Sequence, residues 1–118
     1  MIEKLNKKIR RKAEKLKRDK NFPAYVSGAE YNYLQKVEQS GKIKEAEFVK
    51  SLKNKLEVFG KIGTKYNGSS VGYCAETVSA NKVLKKFPSK LKSLNVGIAI
   101  RPRTLQEGKK CKICKSVF

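Results

Sequence analysis

Residues 72–114, GYCAETVSANKVLKKFPSKLKSLNVGIAIRPRTLQEGKKCKIC, decide how this chain folds. From Cys74 onward the apolar positions Ala75, Val78, Val83, Leu84 and Phe87 fall at helical spacing, and Pro88 ends the run. Residues 95–101, NVGIAIR, form an apolar run closed by Pro102, which predicts a buried strand. The stretch RPRTLQEGKK then reads as a loop leading to CKIC, which opens a further short helix. Helix, strand, loop and helix in this order predict a mixed α/β layer.

Working outward, residues 62–73 contain Asn67-Gly68, a two-residue turn signal between strand-capable runs, so a short hairpin is expected. Before it, Ile43, Ala46, Phe48, Val49, Leu52, Leu56 and Phe59 supply a helical apolar face that Gly60 stops. Ser27 and Glu30 have capping-box spacing and predict another helix, ending near Gly41. Asn21, Phe22 and Pro23 separate it from a first helix, in which Ile2, Leu5, Ile9, Ala13 and Leu16 recur at three- and four-residue steps. The expected architecture is one α/β domain over residues 1–118. It comprises a basic amphipathic helix (1–20), a helical part (21–60) and a site-bearing core (61–118) on a compact sheet of about three strands. The N-terminal half is expected to be all-helical.

The chain has 118 residues, enough for one modest core. Its 29 Lys and Arg against 10 Asp and Glu give a formal charge of +19, which points to a polyanionic partner. Nucleic acid is the first candidate; an anionic membrane surface and an acidic protein are the others. Over residues 1–20, ten basic residues face three acidic ones, a face that is either simply solvated or a backbone-binding arm. Tyr25, Tyr31 and Tyr33 can pack or stack on bases. No apolar run approaches the ~20 residues that span a bilayer, and the N-terminus is a charged repeat rather than a signal peptide. Three cysteines make no disulfide framework, so a reducing, cytoplasmic setting is expected. There is no histidine, which excludes Ser-His-Asp triads, Cys-His dyads, two-histidine ribonuclease sites and Cys2His2 fingers.

Cys111 and Cys114 alone could be a redox pair, but that reading leaves Cys74 unexplained. A zinc site uses all three sulfurs, with Cys74 opening one helix and the CxxC another. Three thiolates without histidine leave a fourth coordination position open, as in catalytic zinc. Glu76, two residues after Cys74, is placed as the general acid-base beside it.

Cys74-Ala75-Glu76 followed by Cys111-Lys112-Ile113-Cys114 resembles the signature of the zinc-dependent nucleobase deaminases, with Cys where the first ligand is usually His. Residues 60–118 look similar to deaminase domains of bacterial polymorphic toxins, nearest to the YwqJ-like group. The resemblance implies a cytidine deaminase-like fold and hydrolytic conversion of cytosine to uracil in DNA or RNA, DNA being favoured. It further implies Zn2+ as cofactor and an acidic immunity protein as partner; a monomer with no membrane association is expected. Cys74, Cys111 and Cys114 match the metal ligands and Glu76 the proton shuttle. Ala75 matches the position whose N–H meets the base carbonyl, and Asn67, Ser69, Ser70 and Tyr73 fall where sugar or base would be held. Lys110 stands in place of the proline that commonly precedes the CxxC. The third thiolate makes the metal centre formally anionic, so Arg101 or Arg103 is expected to draw density from the sulfurs, the alternative being that these charges face phosphate or solvent. The alternative function is a non-enzymatic, zinc-stabilised nucleic-acid-binding module, in which Glu76 has no task.

Overall fold

Leu5, Ile9, Ala13 and Leu16 are all buried along one face of helix α1 (Ile2–Arg18), as their spacing requires. They pack on Val26 and Ile100, while most of the basic residues of α1 face solvent. The computed structural model of the protein describes residues 2–66, 68–108 and 112–118.

Val26 and Ile100 belong to an antiparallel sheet at the centre of the molecule. Strand β1 (Val26–Tyr31) pairs with β2 (Leu34–Gln39) from Val26↔Gln39 to Tyr31↔Leu34. The two-residue turn between them places Asn32 at φ 59°, a left-handed conformation that Asn tolerates well. This hairpin replaces the helix expected from Ser27 to Gly41, so the N-terminal half is not all-helical. The misreading has a physical cause. β1 is covered on both faces and built from small residues (Ser27, Gly28, Ala29), so it shows neither alternation nor β-branched enrichment.

On its other side β1 pairs with β5 (Asn95–Val96) and β6 (Ala99–Arg101), and β6 continues to β7 (Gln106–Gly108) inside the stretch expected to be a loop. Among the described residues the sheet therefore has five strands, in the order β2-β1-β6-β7 with β5 also on β1, more than the roughly three expected. The single strand expected over 95–101 is broken by a β-bulge. Ala29↔Val96 and Val26↔Ile100 enclose two residues of β1 but three of the partner. Its freed groups are satisfied individually: Gly97 N–H donates to Gly28 O (2.8 Å), Ile98 N–H to Asn6 Oδ1 (3.0 Å), and Ser27 Oγ–H to Ile98 O (2.9 Å).

The opposite face carries α3 (Ala75–Lys86), whose Ala80 and Val83 meet Ala29. α3 is buried nearly all round because its far side meets a second core made by α2 (Lys50–Leu56), α4 (Lys112–Val117) and neighbouring segments, through Phe48, Leu52, Leu56, Val71, Leu84 and Ile113. The long helix expected over 43–59 is divided into two 3-10 turns, Glu45–Glu47 and Glu57–Phe59, around α2. The backbone is extended at Phe48 (ψ 136°) and Val49 (ψ 135°), which seats Phe48 in the core. The short hairpin forms as expected, from β3 (Lys65–Tyr66) and β4 (Ser69–Ser70). No described helix is long and apolar enough to cross a membrane.

Candidate active site at the N-terminus of α3

Gly72 has φ 87°, a conformation that favours glycine, and it turns the chain out of the β3–β4 hairpin toward α3. Cys74 then takes the N-cap position with extended backbone (φ −65°, ψ 146°), and its side chain makes no capping hydrogen bond. The first turn of α3 leaves N–H groups without helical acceptors and a partial positive charge, an environment that favours a thiolate or an incoming electronegative atom. Ala75 and Glu76 form that turn.

A cavity of ≈420 Å³ opens here, within the size range of small-molecule sites. Its wall contains Ser69, Ser70, Tyr73, Cys74, Ala75 and Glu76, six of the residues singled out in the sequence. Glu76 is only 4% exposed, and Cys74 is half-buried. Cys114 is fully buried in α4, with its Sγ 3.9 Å from Thr77 Oγ1, so Cys114 meets the first turn of α3. Cys111 and Asn67 lie outside the described residues, as do Lys109 and Lys110. Among the described residues no group of three His, Cys, Asp or Glu side chains is gathered to hold a metal. Cys74 stands at the N-cap of α3 and Cys114 reaches Thr77 of its first turn from α4; sulfur donors are of the soft type that suits zinc.

Tyr25, which the sequence offered for packing or base stacking, also lines the wall, whereas Ala24, Ser40, Gly41 and Ala99 were not anticipated. These four come from just before β1, just after β2 and the start of β6, and no local motif marks them. The end of the β1–β2 hairpin is tied to the site through the backbone. Ser40 N–H donates to Tyr25 O (2.9 Å), Tyr25 N–H to Ser40 Oγ (3.2 Å), and Gly41 N–H to Tyr73 O (3.0 Å). Tyr25 also packs so closely on Gly108 of β7 that a Cβ there would strike its ring. Arg101 donates through Nη2 to the Tyr25 hydroxyl (3.1 Å), and Arg103 lies over the Phe22 ring, 4.5 Å from its centroid.

No protein-family model matches the chain, and no curated protein or solved structure gives a significant match.

Proposed function

We propose that this protein is a zinc-dependent deaminase converting cytosine to uracil in DNA or RNA, in the manner of a toxin effector domain. The observation that carries the reading is the cavity whose wall joins Cys74, Ala75 and buried Glu76 at one helix N-terminus, with Cys114 packed on the same turn. Cys74, Cys111 and Cys114 would hold the zinc, which supplies the polarisation that makes water a nucleophile near neutral pH. As the water oxygen bonds to C4, Glu76 takes one of its protons and passes it to N3 of the ring. Glu76 then carries the remaining hydroxyl proton to the amino group, the C4–N bond breaks, ammonia leaves and the oxygen stays as the C4 carbonyl. The Ala75 N–H, in the first turn of α3 where donors have no acceptor within the helix, is suited to the base carbonyl. Tyr73 and Tyr25 supply aromatic wall against which a base can lie.

The test is incubation with single-stranded DNA, duplex DNA and RNA, followed by sequencing for C-to-U changes and by zinc analysis of the protein. Glu76→Gln should retain zinc and lose about 10²–10⁴-fold in conversion rate, the range of a lost general acid-base. Conversion that survives the substitution would sink the mechanism. Tight polymer binding with no conversion on any substrate would favour the zinc-stabilised binding module, which the +19 charge fits equally well.

A further inference from the structure

Arg101, beside the cavity-wall residue Tyr25, and Arg103, two residues further along the same turn, each rest on an aromatic ring. The Arg101 guanidinium sits 5.3 Å from the Tyr25 ring centroid and is also hydrogen-bonded to the Tyr25 hydroxyl. Arg103 is held over Phe22, itself 38% exposed. Both arginines are exposed, and among the described residues neither is ion-paired with a carboxylate. The turn that carries them is closed by Leu105 N–H donating to Arg101 O at 2.7 Å, so their spacing is fixed by backbone as well as by the rings beneath. Tyr25, under one of them, is part of the cavity wall.

A lysine on a flexible stem gives up rotamer freedom when it meets a phosphate. A guanidinium already held against an aromatic ring has given up most of it and still offers a planar edge of N–H donors. A flanking base can also stack on the exposed part of such a ring. We propose that Arg101 on Tyr25 and Arg103 on Phe22 form a rim on which the backbone of a single-stranded polynucleotide docks, delivering one nucleotide into the cavity. The inference rests on the polynucleotide reading of that cavity. A single strand is the form that fits, because a base must leave the duplex stack before it can enter a cavity.

Fluorescence anisotropy with a short labelled oligothymidylate tests the rim without involving turnover, since the probe holds no cytosine. Arg101→Ala and Arg103→Ala should each weaken binding about fivefold and flatten the logarithmic salt dependence by about 0.7, the share of one phosphate contact on a single strand. Phe22→Leu removes no charge, yet it should weaken binding about threefold, because Arg103 loses its support. Lys90→Ala is the matched control. Lys90 lies 6.0 Å from the Tyr31 ring centroid at the opposite end of β1, and its loss should change affinity by less than about twofold. If the double variant of Arg101 and Arg103 binds like Lys90→Ala, or if Phe22→Leu binds like wild type, the rim is overturned. A duplex bound as tightly as the single strand overturns the choice of substrate form. Loss of C-to-U conversion in Glu76→Gln with unchanged oligothymidylate binding leaves the rim standing. Rim variants that bind normally in a protein that still converts cytosine remove the rim alone.

Discussion

Asn81 is 2% exposed and works as a cap for a helix that is not its own. Its Oδ1 accepts the Val49 N–H at 2.8 Å and its Nδ2 donates to Glu47 O at 3.1 Å, across the break that precedes α2. Asn81→Ala is expected to cost about 1–3 kcal/mol by stranding these groups, read as a lower denaturant midpoint with unchanged slope. A midpoint equal to wild type would mean that water replaces the amide. Ser27 and Glu30 illustrate the opposite case, in which residue spacing misleads. Their capping-box pattern is genuine in the sequence, but the Ser27 hydroxyl bonds to Ile98 O across the sheet. Glu30 Oε2 accepts from Gln35 Nε2 (3.0 Å) across the hairpin. A spacing of three residues specifies a cap only when the backbone between is helical.

At the scale of elements, α1 was legible because one of its faces is apolar and the other charged. What it rests on was not. Leu5 and Ile9 sit over two glycines of different strands, Gly28 of β1 and Gly97 of the bulge. A Cβ at Gly97 would lie 2.5 Å from Ile9 Cδ1 and 2.7 Å from Asn6 Oδ1. Gly97→Ala should therefore lift α1 from the sheet at a cost of about 1–3 kcal/mol. Early tryptic cleavage within residues 2–18, ahead of cuts in α3, would report it; cleavage in the wild-type order would count against this account. The hairpin β3–β4 and helix α3 were legible for the same reason as α1, since Asn67-Gly68 and the spacing from Ala75 to Phe87 are local signals. The pairing of β1 with three other strand segments was not, because a strand covered on both faces by helices needs only small or apolar residues, which any buried segment can have.

Over the whole molecule, 29 basic residues against 10 acidic ones make self-repulsion a standing cost, and ion pairs such as Lys82–Glu38 (2.9 Å) and Lys53–Glu45 (3.4 Å) are too few to cancel it. Raising NaCl from about 10 to about 150 mM shortens the screening length from ~30 to ~8 Å. This should stabilise the fold by about 1 kcal/mol, raising the melting temperature by ~4 °C. A melting temperature that stays level or falls with salt would show that the charges are already well separated. The sequence by itself determined the charge, the absence of histidine, the α1, α3 and short-hairpin elements, and the choice of Cys74, Ala75 and Glu76 as one local unit. Each is fixed by composition or by residues within one helical turn of each other. Only the tertiary structure decided that residues 26–39 are the central hairpin, that Tyr25, Ser40, Gly41 and Ala99 join the cavity wall, and that Arg101 and Arg103 come to rest on aromatic rings. Those outcomes depend on strand pairing between segments some seventy residues apart (Val26 with Ile100), where the free energy lies in a shared interface rather than in any local pattern.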